Sequence, residues 1–172
     1  DRLDKELLAL MKRAGCEGVW FGVESLDEEI FRKVDKGEKV EDILRAISMT
    51  QEAGIPISAF FIIGLPGSNY EKDMQTLSKA RKIKLNLATW SLATPYPHKA
   101  LCDWVSKNGR MLRDFRDISF FMDPQCAFET DDYTEAERLK VLYKANLAFS
   151  RYECLSVEPN PVKKIYKILK VA

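Results

Sequence analysis

The run Ile57-Ser-Ala-Phe-Phe-Ile-Ile-Gly-Leu-Pro-Gly67 constrains this chain more than any other feature. Phe60, Phe61, Ile62 and Ile63 are consecutive aromatic and β-branched residues, the pattern of a strand covered on both faces, as strands of parallel sheets are. Gly64, Pro66 and Gly67 end the run, and Asn69 stands where it can cap a following helix. A strand, turn and helix in that order leave backbone N–H groups at the turn, where small ligands are commonly held. The same residues also make an ordinary tight βα connection, and the stretch alone does not choose between the two.

The rest of the chain repeats the unit. A helical stripe of Leu3, Leu7, Leu8, Met11 and Ala14 stops at Gly15, and Val19, Trp20, Phe21 and Val23 form an earlier short strand that ends on Glu24 and Ser25. Ser25 or Asp27 can cap the helix over residues 26–34. Val40, Ile43, Leu44 and Ile47 mark a second helix before Gly54. After the central strand come a helix with Tyr70, Met74 and Leu77 on one face and a third strand over residues 85–92, containing Trp90. Strand starts near 18, 57 and 87 leave steps of 39 and 30 residues, each with room for a crossover helix. The expected fold is α/β: about three parallel strands with helices, half of a (β/α) barrel. In such a sheet the C-terminal strand ends share one rim, so Glu24, Ser25 and the Gly64–Gly67 turn are expected to be neighbours.

Residues 1–110 are assigned to the partial barrel, and residues 111–172 to a loop and helical extension packed on it. The third strand runs into Pro95-Tyr-Pro97, then a short helix with Leu101, Trp104 and Val105 that stops at Gly109. Phe115, Phe120, Phe121, Met122 and Phe128 are scattered through a loop expected to fold back on the body. Thr134 and Glu137 form a capping box for a helix whose expected buried stripe is Leu139, Leu142, Tyr143 and Phe149. A last short helix is expected after Pro159 and Pro161.

Charge and cysteine spacing narrow the chemistry. Lys plus Arg number 27 against 26 Asp plus Glu, which recommends neither nucleic acid nor an anionic membrane as partner. Lys163, Lys164, Lys167 and Lys170 are accounted for as a solvated helix face. No apolar run is long enough to span a bilayer, and the first residues lack the core of a signal peptide, so a cytoplasmic location is expected. Cys16, Cys102, Cys126 and Cys154 are 86, 24 and 28 residues apart, which gives neither a zinc spacing nor a cluster-binding loop. His98 is the only histidine. It and Tyr96 are better explained as solvated loop and packing residues than as catalysts. A start at Asp1 with a docked helix suggests a segment of a longer protein.

The series Gly22-Val-Glu-Ser25, Ala-Gly-Ile-Pro56, Phe61-Ile-Ile-Gly-Leu-Pro-Gly67 and Pro95-Tyr-Pro97 resembles the later half of the radical S-adenosylmethionine (radical SAM) enzymes. Residues 108–152 resemble the tail of the subclass that carries an N-terminal cobalamin-binding domain. The resemblance implies a parent iron–sulfur oxidoreductase or methyltransferase that cleaves S-adenosylmethionine reductively to a 5'-deoxyadenosyl radical and acts on a small-molecule substrate. It implies a [4Fe–4S] cluster held by a Cys-x-x-x-Cys-x-x-Cys loop that this sequence lacks, and cobalamin if the subclass holds. By position it assigns Glu24 and Ser25 to the methionine or ribose part of the cofactor. Ile62, Gly64 and Gly67, with the backbone at Ala93 and Thr94, fall on the adenine side. Ser68 departs from the family, where Glu is common, as does His98-Lys99, where Gly-Thr is common.

Without cluster thiolates the isolated chain is expected to be inactive. Two other functions fit the same residues: a non-catalytic half-barrel that self-associates through an exposed sheet edge, and a phosphate-binding barrel enzyme using the Gly64–Gly67 turn. As half a barrel, the chain is expected to leave the first strand's edge and the inward side chains of Phe21, Phe61 and Trp90 without partners, and so to form a homodimer or to be partly disordered.

Overall fold

The computed structural model describes residues 3–34, 37, 39–114, 116 and 125–149. Helix α1 (Lys5–Arg13) begins at Asp4, whose side chain accepts the N–H of Leu7 at 2.7 Å. Strand β1 (Val19–Glu24) is followed by α2 (Glu28–Lys33), with Asp27 accepting the N–H groups of Glu29 and Ile30, both at 3.0 Å. Helix α3 (Val40–Glu52) leads to β2 (Ile57–Ile63). Asn69 caps α4 (Tyr70–Ala80) by accepting the N–H of Lys72 at 2.9 Å, as its place in the sequence predicts. Strand β3 (Leu87–Leu92) and helix α5 (Ala100–Asn108) complete the repeating units.

The three strands form one parallel sheet in the order β1-β2-β3, the α/β architecture the spacing predicts. One face is covered by α3, α4 and helix α6 (Glu135–Phe149). Their apolar side chains meet Val23, Ile57, Ala59, Phe61, Ile63 and Trp90 in the main core. Phe61 and Trp90 stack with ring centroids 4.3 Å apart, and Phe149 stacks on Trp90 from α6. Burial of side chains of this size is worth about 1.5–3 kcal/mol each, so this layer carries much of the fold.

The other face corrects two expectations. Strand β2 is covered on one side only in this chain: Ile57, Ala59, Phe61 and Ile63 are buried, while Ser58, Phe60 and Ile62 are not. Phe61 and Trp90 therefore lie under the helices, with Phe21 packed beside them, and none of the three points into an open barrel interior. Trp20 and Phe60 occupy the open face instead, 59% and 40% exposed, their rings stacked at 5.1 Å. Side chains alternate along a strand, so an error of one residue reverses every assignment.

Part of the expected loop after residue 110 is a ribbon. Strand β4 (Gly109–Met111) pairs antiparallel with β5 (Phe128–Thr130), and Phe128 joins Ile30, Leu65, Ala93, Val105 and Ala127 in a second, smaller core at the sheet's C-terminal end. Thr134 and Glu137 form the expected capping box, Glu137 accepting the N–H of Thr134 at 2.9 Å. The buried stripe of α6 differs from the expected one: it is Arg138, Val141, Leu142 and Ala145, with Tyr143 outside it. Phe115, Phe120, Phe121, Met122, Cys154 and the expected last helix lie outside the described residues. Among the described residues, no helix is long and apolar enough to cross a membrane.

Candidate functional site

Parallel strands bring their C-terminal ends to one rim, and each end here departs from regular structure. At the end of β1 the register with β2 shifts between Gly22 and Glu24. Glu24 has φ 63°, and the N–H of Ser25 returns to the carbonyl of Val23 at 2.7 Å, closing a three-residue turn around the glutamate. A non-glycine residue in that region costs on the order of 1–3 kcal/mol and persists where its surroundings fix it. Helix α4 supplies that fixing. The buried Ser25 hydroxyl lies 3.2 Å from that of Thr76, which also accepts the N–H of Leu26 at 3.3 Å, and Lys79 donates to the carbonyl of Leu26 at 2.7 Å. Ser25 thus anchors the strand end to α4, while Glu24 stands half-buried at the rim.

At the end of β2, Gly64 has φ 83° and Gly67 φ 84°. The N–H of Ser68 donates to the carbonyl of Leu65 at 2.9 Å, which makes Leu65 to Ser68 a turn with Pro66 second and a left-handed glycine third. That is the type II pattern. Contrary to the expectation of open amides, the Gly64 N–H is consumed by the Asp73 carboxylate at 3.0 Å. The Gly64 carbonyl accepts Arg138 Nη1 at 3.3 Å, and the Tyr133 hydroxyl donates to the same Asp73 oxygen at 2.9 Å. Asp73, Tyr133 and Arg138 are all buried. Burial pushes the Asp73 carboxyl up to about 6 against the opposing pull of these donors and of Arg138. Burial likewise raises Tyr133, helped by the neighbouring carboxylate, and lowers Arg138.

The far side of the turn is basic. Lys33 lies across Gly67, its Nζ 2.6 Å from where a Cβ would stand. Glu29 bridges Lys33 at 2.8 Å and Lys72 at 2.6 Å, and Lys72 also donates to the Gly67 carbonyl at 3.1 Å. The two ammonium groups hold the Glu29 carboxyl down to about 2, and Glu29 raises Lys72. Ser68 is buried, and its hydroxyl has no hydrogen-bond partner among the described residues.

At the end of β3, the N–H of Ala93 donates to the carbonyl of Ile63 at 2.8 Å, and the Thr94 hydroxyl donates to the carbonyl of Leu92 at 3.3 Å. Ala93 and Ile62 adjoin the smaller core under α5 and β5. All seven sequence-derived candidates thus come from the three strand ends and the residues just beyond them. Gly64, Gly67 and Ser25 make contacts with α4, α6 or Lys33, and Glu24, Ile62 and Thr94 are half-buried. His98 is exposed with φ 60°.

The residues that sequence inspection missed are Asp73, Tyr133 and Arg138. One signal was available: Arg138 stands in helical register with Val141, Leu142 and Ala145, a charge within an apolar stripe. The described residues do not suit a metal cluster. No group of three or more potential ligands occurs among them, and Cys16, Cys102 and Cys126 are separate free thiols.

Comparison with known proteins agrees with this fold. Residues 1–80 match the model of the radical SAM superfamily. An uncharacterized methyltransferase of Pyrococcus horikoshii is 28% identical over 147 residues, 85% of this chain and 31% of that protein. The anaerobic magnesium-protoporphyrin IX monomethyl ester cyclase of Rubrivivax gelatinosus is 33% identical over 98 residues, 57% of this chain and 18% of that protein. The chain thus spans less than a third of the length of either relative. Among solved structures, Elp3 of Methanocaldococcus infernus superposes with a TM-score of 0.62 at 20% identity, covering 83% of this chain and 30% of that one. Residues 1–80 thus carry the sequence pattern of the radical SAM superfamily, and the chain shares its fold with part of Elp3.

Proposed function

We propose that this chain forms the nucleoside-holding part of a radical SAM enzyme, within a longer protein whose other segments hold a [4Fe–4S] cluster. The observation that carries the proposal is Glu24, held at φ 63° on the rim of a segment that matches the superfamily. In this family S-adenosylmethionine is the source of a 5'-deoxyadenosyl radical that takes hydrogen from a substrate. Here Glu24 accepts charge-assisted hydrogen bonds from ribose hydroxyls or from the amino group of the methionine part. Ile62 and the backbone at Ala93 and Thr94 offer the adenine a largely apolar wall. Ser25 keeps the strand end in place, and Gly64 and Gly67 shape the turn that borders the ring. The apolar strand ends also exclude water from the site. The substrate is a small molecule met by other parts of the longer protein. A cobalamin-binding domain, implied by the resemblance of residues 108–152, would likewise lie outside this chain.

The test is equilibrium dialysis of S-adenosylmethionine against the longer protein. Loss of a charge-assisted hydrogen bond is worth roughly 1.5–3 kcal/mol, so Glu24→Ala is expected to weaken binding about 10- to 100-fold. Equal affinity in wild type and variant would remove Glu24 from the site.

A further inference from the structure

Two buried charged side chains from elements distant in sequence take hold of one residue of the rim. Asp73, in α4, accepts the N–H of Gly64, and Arg138, in α6, donates to its carbonyl. Tyr133 ties the two together: its hydroxyl donates to Asp73, and its carbonyl accepts Arg138 Nε at 3.1 Å. The guanidinium lies 4.3 Å from the ring centre of Phe128 and 4.7 Å from that of Tyr133, so it is enclosed on its faces as well. Packing a helix on a sheet needs no charge at position 138. An apolar residue there would avoid the desolvation of a buried guanidinium and carboxylate, which often exceeds what the pair returns. What the charges touch is the peptide on each side of Gly64, where β2 leaves the sheet at φ 83°.

We infer that Arg138 and Asp73 are positioning residues for the rim: together they fix the peptides flanking Gly64, so that helix α6 sets the conformation of the turn from Gly64 to Gly67. The inference rests on the nucleoside reading only for what the turn serves; the clamp stands on its contacts. Such a clamp responds to protons. The groups facing Asp73 are the Arg138 guanidinium and Tyr133 hydroxyl at α6 and the Asp27 carboxylate at the head of α2; Arg138 also faces Asp132 and Cys126. Protonation of Asp73 discharges the acceptor of both the Gly64 N–H and the Tyr133 hydroxyl and leaves the Arg138 charge without its carboxylate. The turn is held by a charged acceptor at neutral pH and by a neutral one in acid, where the turn loosens locally although loss of the buried charge favours the fold as a whole.

The clamp can be followed in solution at Gly64 itself. The chain has eight glycines, and Ile63-Gly64 is its one Ile-Gly pair, so carbonyl-13C isoleucine with 15N glycine marks that amide alone. Its signal is expected to titrate with a midpoint near 6, whereas Gly15 and Gly37, where an added Cβ would meet no described atom within 4 Å, stay in place. Tyr133→Phe deletes one hydroxyl and is expected to raise the midpoint, because a donor to the carboxylate is lost. Arg138→Met is also expected to raise it, because a neighbouring positive charge is lost, and Arg138→Lys to restore part of the difference. A Gly64 signal that does not titrate, or a midpoint unchanged in folded Tyr133→Phe, would overturn the clamp. Failure of the longer protein to bind S-adenosylmethionine would end the nucleoside reading and still leave the Gly64 signal to decide the clamp.

Discussion

The guanidinium of Arg138 occupies the space that a Cβ on Gly64 would need, although the two residues are 74 positions apart in the chain. Gly64 cannot gain a side chain while Arg138 stays in place. Gly64→Ala must tolerate φ 83° and displace a buried charge from its hydrogen bonds, so it is expected to destabilise the protein by roughly 2–4 kcal/mol. Urea unfolding measures this. A loss below about 0.5 kcal/mol, within the range of ordinary surface substitutions, would show that the turn and α6 are not locked together.

Asp73 gives the stability a distinct pH dependence. Its carboxyl is raised from 3.8 to about 6 in the folded protein, so between those values the folded state binds more protons than the unfolded state. Its contribution is therefore fully present below 3.8 and is lost as pH rises through 6. The total is at most about 3 kcal/mol, from a difference of 2.2 pH units at about 1.36 kcal/mol each. Asp73→Asn is expected to flatten this part of the profile measured by urea titration between pH 4 and 7, and an unchanged slope would contradict the assignment.

Trp20 and Phe60 stack on the uncovered face of the sheet, beside the edge of β1. An open face and edge of this kind favour pairing with a second chain. Sedimentation is expected to show concentration-dependent association of the isolated chain that Trp20→Ser weakens. A compact monomer at all concentrations, in both proteins, would count against it.

The sequence was informative where the cause is local. Asn69 and the Thr134–Glu137 box cap the helices they were expected to cap, and of the two candidates Ser25 and Asp27 it is Asp27 that caps α2, because capping needs only residues within one turn. The parallel order followed from the spacing of the strands. The covered face of β2 was not legible, since Phe60 to Ile63 are apolar without alternation, and only the packing of α3, α4 and α6 decides which pair is buried. The clamp was hidden for a similar reason. Asp73 and Arg138 look like surface charges on amphipathic helices until both are brought to Gly64 by the fold. The ends of the strands could be named in advance, whereas the partners that hold them could not.

The most direct measurement is anaerobic reductive cleavage of S-adenosylmethionine by the longer protein reconstituted with iron and sulfide, with Glu24→Ala and the isolated chain run beside it. Release of 5'-deoxyadenosine by the longer protein, a strong fall with Glu24→Ala and none from the isolated chain are the expected results. Cleavage unaffected by Glu24→Ala, or no cleavage by a protein that holds its cluster, would contradict the assignment of this rim to the cofactor.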